Sequence, residues 1–146
     1  MKKTITLFLL PLFVFSQKIN KRWVYNEICE QGCKFPDIVL AQAILESGNF
    51  KSSIFLKNNN IFGMKVSERR ISTAIGKRKG YAKYLDWGYS VTDYLLFQEM
   101  IFTNKTYSRK EYLKMLDRIY CETPNYSKQI LCILRSNNYI INMYNK

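Results

Sequence analysis

The chain has 146 residues, with 23 Lys or Arg against 11 Asp or Glu for a formal net charge of +12, and with 47% apolar and 15% aromatic residues. That length and apolar content bound it to one small folded domain with a basic surface and exclude both a disordered chain and a two-domain arrangement. Because the sequence contains no His, imidazole-based hydrolases, Cys/His zinc sites and histidine pH switches are excluded, and carboxylates, tyrosines and backbone groups must carry any chemistry.

At the N-terminus, Lys2 and Lys3 precede a mostly apolar run from Ile5 to Phe15 and then Ser16-Gln17, the order of a secretory signal peptide. Residues 1–16 are expected to be a leader and 17–146 the functional domain, secreted or periplasmic. Pro11 and the polar KINKR that follows the run speak against the alternative, a buried first helix. No Cys ends the run to accept a lipid, so no membrane anchor is expected after cleavage. Cys29, Cys33, Cys121 and Cys132 are expected to form disulfides in an oxidising compartment, with pairing inside each neighbouring couple one of the open connectivities. A four-thiolate metal site would want C-x-x-C pairs that are absent here, and neither a metal nor a cofactor is expected.

Trp23, Val24 and Ile28 between Ile19 and Gln31, with Gly32 behind them, predict a short amphipathic helix. Pro36 then opens a helix over IVLAQAILES that is apolar on nearly every side and ends at Gly48, so it must be central. The segment from Phe50 to Met64 reads as a loop, in which Asn58-Asn59-Asn60 tolerates turn or left-handed geometry. Between Lys65 and Tyr84 the helical periodicity fades, and Gly76 and Gly80 bracket Lys77-Arg78-Lys79, which predicts a short irregular hairpin. Ser90-x-x-Asp93 and Ser108-x-x-Glu111 both read as capping boxes, and Thr123-Pro124 as a third helix start. The expectation is an α+β, mainly α domain of about five helices with a small β-lobe.

Glu46 is the most informative residue, because it closes the most apolar helix of the chain. Burial and the negative end of the helix dipole both favour its neutral form. A carboxyl kept protonated can donate its proton to a leaving group, as glycosidic cleavage requires. The alternative is an ordinary solvated Glu at a helix terminus. The blocks AQAILESGNF, NNNIFGMK, YLDWGYSVTDY and YCETPNYSKQI, in that order from Ala41 to Ile130, resemble the successive motifs of the bacterial peptidoglycan N-acetylglucosaminidase family, the glycoside hydrolase family 73 type of the mannosyl-glycoprotein endo-β-N-acetylglucosaminidase-like domains. The resemblance implies a lysozyme-like fold whose β-lobe forms one wall of a glycan cleft. It also implies an enzyme that hydrolyses the β-1,4 bond after N-acetylglucosamine in peptidoglycan or a related glycan. By the same carry-over Glu46 is the general acid, Asn60, Phe62, Gly63 and Lys65 line the cleft floor, Tyr120 faces the substrate beside the acid, and Tyr126 is the second aromatic of its block. Tyr84 joins the substrate-contacting candidates, since aromatic faces stack on sugars, while core packing remains the other reading of these tyrosines.

Two departures qualify the resemblance. The family commonly has a second acid in a T-x-E pattern of the lobe, where this chain has Thr73-Ala74-Ile75. Glu68 and Asp86 are the acids between Lys65 and Asp93 that can take the role from a shifted position, or the substrate's own N-acetyl group can assist. Asp93 aligns with an acid of the family, and its spacing from Ser90 assigns it to a helix start. In the last block Glu122-Thr123 replaces the family's Asp, with altered cap chemistry expected there. The missing lobe Glu leaves open a catalytically weak or inactive glycan-binding relative. The basic run from Arg69 to Lys79 would also suit a single-stranded nucleic acid or a solvated face. No nucleic-acid motif accompanies it, so the expected partner is a glycan with acidic stem peptides and the protein a monomer.

Overall fold

In a computed structural model the described residues are 19–120 and 124–142. The proposed leader therefore lies outside the described residues, as do Cys121 and the Thr123 helix start. Seven helical segments and one hairpin make up the rest: α1 (Lys21–Glu30), α2 (Pro36–Glu46), α3 (Ser53–Asn58), β1 (Gly76–Arg78), β2 (Tyr81–Lys83), α4 (Trp87–Phe102), α5 (Arg109–Ile119), α6 (Tyr126–Ser136) and α7 (Asn138–Asn142). None of the described helices is long and apolar enough to cross a membrane.

Helix α1 starts where the Asn20 side chain accepts the Trp23 N–H at 3.0 Å, and it buries Val24, Tyr25 and Ile28. Gly32, at φ +80°, turns the chain so that Cys33 enters the core. Pro36 opens α2 as expected, and every residue from Ile38 to Ile44 is buried. A helix apolar all round must sit inside others, and α2 packs between α1 and α6. One apolar cluster gathers α1, one side of α2 and Val91 and Tyr94 of α4, while a second joins Ile38 and Ala41 to Tyr112, Leu116 and Ile130 of α5 and α6.

Three elements differ from the reading of the sequence, the first being α7, a short helix it did not anticipate. The expected loop over 50–64 contains α3, begun by Ser52, whose hydroxyl accepts the Phe55 N–H at 3.1 Å, and ended by Asn59 at φ +54°. Six residues are too few for a helix to persist without tertiary support, and Phe55, packed edge-on against Phe50, supplies it. Helix α4 begins at Trp87, with Asp86 as its cap accepting the Gly88 N–H at 2.7 Å and the Tyr89 N–H at 3.4 Å. Ser90 and Asp93 are not a capping box. Both are fully buried one turn further on and are spent on tertiary bonds: Ser90 Oγ accepts the Ile61 N–H at 3.2 Å, and Asp93 pairs with Arg70. The Ser108/Glu111 box does form at α5.

The lobe is small. β1 and β2 pair antiparallel with Gly76 opposite Lys83 and Arg78 opposite Tyr81, and Lys79 and Gly80 between them both have positive φ, the two-residue turn that suits the strand twist. A lone two-stranded sheet is marginal in water, so its attachment matters. Three consecutive asparagines supply it. Asn58 Nδ2 donates to the carbonyls of Arg78 (3.1 Å) and Ala82 (3.3 Å), Asn59 Nδ2 to Tyr84 (3.1 Å) and Leu85 (2.9 Å), and Asn60 Nδ2 to Met64 (2.8 Å) and Ala82 (2.9 Å). The loop before β1 is pinned separately: Arg70 meets Asp93 through both guanidinium nitrogens at 2.6 and 3.2 Å, and the Tyr84 hydroxyl donates to the same carboxylate at 2.7 Å.

Among the described residues Cys29, Cys33 and Cys132 are free thiols. The couple Cys29–Cys33 considered from the sequence is therefore not bonded: Cys29 is exposed on α1 while Cys33 is buried beyond Gly32.

Candidate active site

Glu46 is the last residue of α2, and the backbone behind it is unusual. Gly48, Asn49 and Phe50 all have positive φ, between +56° and +63°, a left-handed run that costs energy at the two residues with side chains. The buried Ser47 holds that turn by accepting the Phe50 N–H at 2.9 Å. The reversal brings the half-buried Glu46 side chain against two other elements. From α6, the Tyr126 hydroxyl donates to Glu46 Oε1 at 2.6 Å. From the 59–65 turn, Gly63 faces the other oxygen: a Cβ placed on it would lie 3.2 Å from Glu46 Oε2. The Tyr120 ring stacks on that of Tyr126 with centroids 5.9 Å apart, and its hydroxyl donates to the Phe62 carbonyl at 2.7 Å. Burial lifts the Glu46 carboxyl above its ordinary value, and the Tyr126 hydrogen bond, which favours the ionised form, offsets only part of that rise. The group is thus a carboxyl with one oxygen held by Tyr126 and the other packed beside a glycine, and its shift is in the direction that suits proton donation.

A model of the mannosyl-glycoprotein endo-β-N-acetylglucosaminidase (glucosaminidase) family matches residues 23–139. The chain belongs to that family. This glucosaminidase is a glycoside hydrolase by its family. The catalytic domain of the autolysin Auto from Listeria monocytogenes has the same fold, with a TM-score of 0.57 at 17% identity over 86% of this chain and 89% of that one. The lysozyme-like architecture expected from the motifs is therefore present. Protein bax of Escherichia coli strain K12 is 40% identical over 72 residues, 49% of this chain but only 26% of that protein.

The glucosaminidase brings Glu46, Tyr120, Tyr126, Phe62 and Gly63 together. Other positions singled out in the sequence are differently placed. Asn60, Phe62, Tyr84 and Tyr126 are each 1% exposed, so they are closed to direct contact with a polymer, and Tyr126 acts on the site through its hydrogen bond to Glu46. Asn60 is engaged with Met64 and Ala82, Phe62 stacks on Tyr94 at 4.3 Å, and Tyr84 is bound to Asp93. Their contribution is to shape the turn that presents Gly63 and to fasten the lobe. Lys65 is exposed. Glu68 is exposed on the loop before the hairpin, whereas one Asp86 oxygen receives the two amides that start α4. Ile75, at the position of the family's lobe acid, is 62% exposed.

The sequence reading missed Gln42, Gln98, Tyr94 and Tyr112, all within 1% of full burial. The signal available was the presence of two glutamines on the otherwise apolar faces of α2 and α4, since a buried amide must find partners.

Proposed function

We propose that this glucosaminidase is an exported cell-wall hydrolase that cleaves the β-1,4 bond after N-acetylglucosamine in peptidoglycan, with Glu46 as general acid. The observation that carries the reading is the environment of Glu46: a carboxyl raised by burial, fixed by Tyr126 and free of any side chain at Gly63, on a chain of this family. In the reaction the Glu46 proton passes to the glycosidic oxygen as the bond from the anomeric carbon to that oxygen breaks, leaving Glu46 ionised. The positive charge developing on the sugar is met by water, or by the carbonyl of the substrate's own N-acetyl group. We assign activation of the water to Glu68 rather than Asp86, because Asp86 is bound to the first amides of α4. The net charge of +12, which becomes +10 once Lys2 and Lys3 leave with the leader, suits a polymer whose stem peptides carry carboxylates. The name and title of the two similar proteins agree only in part: that of Auto specifies an autolysin catalytic domain, while that of bax specifies no activity.

Digestion of purified peptidoglycan followed by mass analysis of the released fragments tests this directly. N-acetylglucosamine at the new reducing ends is expected, and N-acetylmuramic acid there or cleaved stem peptides would overturn it. The exposed Ile75 favours one second reading, a glycan-binding relative with little turnover. Cell-wall binding without any fragment release would establish that instead.

A further inference from the structure

A line of buried polar groups runs from Glu46 through the interior to the α1–α2 connection. Tyr126 receives the Gln42 amide N–H at 3.3 Å and donates to Glu46, while Gln42 Oε1 receives the Tyr94 hydroxyl. The Tyr94 and Tyr112 hydroxyls are 2.7 Å apart. Tyr112 receives the Gln98 amide at 2.7 Å, and Gln98 closes on the Lys34 backbone, accepting its N–H at 2.7 Å and donating to its carbonyl at 2.9 Å.

The direction of every hydrogen follows from that closed end. Lys34 is backbone, so its N–H and C=O cannot exchange roles, and they force Gln98 to present an N–H to Tyr112. Tyr112 then gives its single hydrogen to Tyr94, Tyr94 gives its own to Gln42 Oε1, and Gln42 therefore offers an N–H to Tyr126. The opposite sense beyond Tyr112 would strand the Tyr112 hydrogen without an acceptor at a position with 0% exposure. All hydrogens thus point towards Glu46 Oε1.

We propose that Gln42, Tyr94, Tyr112 and Gln98 are positioning residues for the Glu46 proton: their fixed polarity makes Oε1 a permanent acceptor and leaves Oε2, the oxygen facing Gly63, as the one that carries and delivers the proton. This rests on the assignment of Glu46 as general acid. Gly63 completes the arrangement, since a Cβ there would lie 3.2 Å from Oε2 and crowd the oxygen that carries the proton.

The test is carbon-13 NMR titration of the Glu46 side-chain carboxyl in the whole protein, assigned with Glu46→Gln, in wild type and in Tyr94→Phe and Tyr112→Phe, with pH–rate profiles of the same proteins. Each Phe variant removes only a hydroxyl. Cutting the line weakens the donation that favours ionised Glu46, so the carboxyl should titrate at higher pH in both variants, more in Tyr94→Phe, the nearer cut. The alkaline limb of the pH–rate profile should move in the same direction, with kcat down roughly tenfold and KM unchanged. A merely structural line would lower the melting temperature and leave the titration where it is, and unchanged titration in both folded variants overturns the proposal. Because the titration needs no substrate, a wild type without glycosidase activity would sink the functional reading while the NMR still decides the direction of the line.

Discussion

Glu46 and Asp93 are two inward-facing carboxyls shifted in opposite directions. Glu46, on the helical side, has neutral company: a tyrosine hydroxyl backed by glutamines and tyrosines, so burial wins and its carboxyl lies above the ordinary value. Asp93, under the lobe, is fully buried and burial alone would lift it as well, but the two-pronged Arg70 contact and the Tyr84 hydroxyl outweigh that and hold it below its ordinary value. The lesson is that depth does not set protonation. A charged partner makes a buried carboxylate structural, and a neutral donor leaves it able to give up a proton.

The largest effect expected from breaking this contrast is on turnover. Glu46→Gln keeps the shape and removes the proton, so release of cell-wall fragments should fall by roughly 10² to 10⁴, with the fold intact by circular dichroism. Asp93→Asn attacks the other carboxyl and leaves the Arg70 side chain, only 8% exposed, without its counter-charge. Loss of one partner of a buried pair costs about 3–5 kcal/mol, measurable as a lower urea midpoint. A loss below about 1 kcal/mol would place the pair in the range of exposed ion pairs and break the comparison.

The pH dependence of stability sharpens it, because the two signs oppose. For Asp93 the folded value lies below the ordinary 3.8, so its contribution is present above that pH and is lost as pH falls through the lower folded value. For Glu46 the folded value lies above the ordinary 4.5, so the native state holds the proton more tightly. Its contribution is full below that pH and is lost as pH rises through the folded value. Urea unfolding of wild type against Glu46→Gln should therefore show the variant gaining relative stability from acid towards neutral pH, and a gain in the opposite direction would refute the assignment.

Smaller effects on stability concern the second acid. Asp86→Ala removes a helix cap and should cost about 0.5–2 kcal/mol while turnover stays near wild type. Glu68→Ala should cost little stability and most of the turnover if it activates water, and turnover retained in both variants would point to the substrate's N-acetyl group. Smallest is the behaviour of the thiols. Cys33 is buried and pushed up to about 12, so in the folded protein a thiol reagent should label the exposed Cys29 and spare Cys33.

How much of this was legible in the chain can be judged residue by residue. Asn20, Pro36 and the Ser108/Glu111 box act through neighbours a few positions away, and α1, α2 and α5 begin where those residues place them. Ser90 and Asp93 have the spacing of a local cap, yet their partners are Ile61 and Arg70, more than twenty residues away. Spacing alone does not reveal that distant competition. Among the site residues, the position of Glu46 at the end of an apolar helix was readable from the sequence alone. The buried line behind it was not, because it joins α2, α4, α5 and α6 and exists only once they pack. Asn60 and Tyr84 were read as glycan contacts because their residue types suit both tasks, and burial assigns them to holding the lobe.

The asparagine clasp has a chemical consequence of its own. Six of its bonds use amide N–H groups aimed at backbone carbonyls, and Asn60 Oδ1 in addition accepts the Met64 N–H at 3.1 Å, so the three side chains serve the clasp mainly as donors. Hydrolysis of one amide to Asp, a change of a single atom that preserves shape and turn preference, would replace two donors with an oxygen and turn attraction to carbonyls into repulsion. The hairpin is therefore exposed to slow chemical ageing at residues 58–60, and an old sample would lose its lobe before its helices.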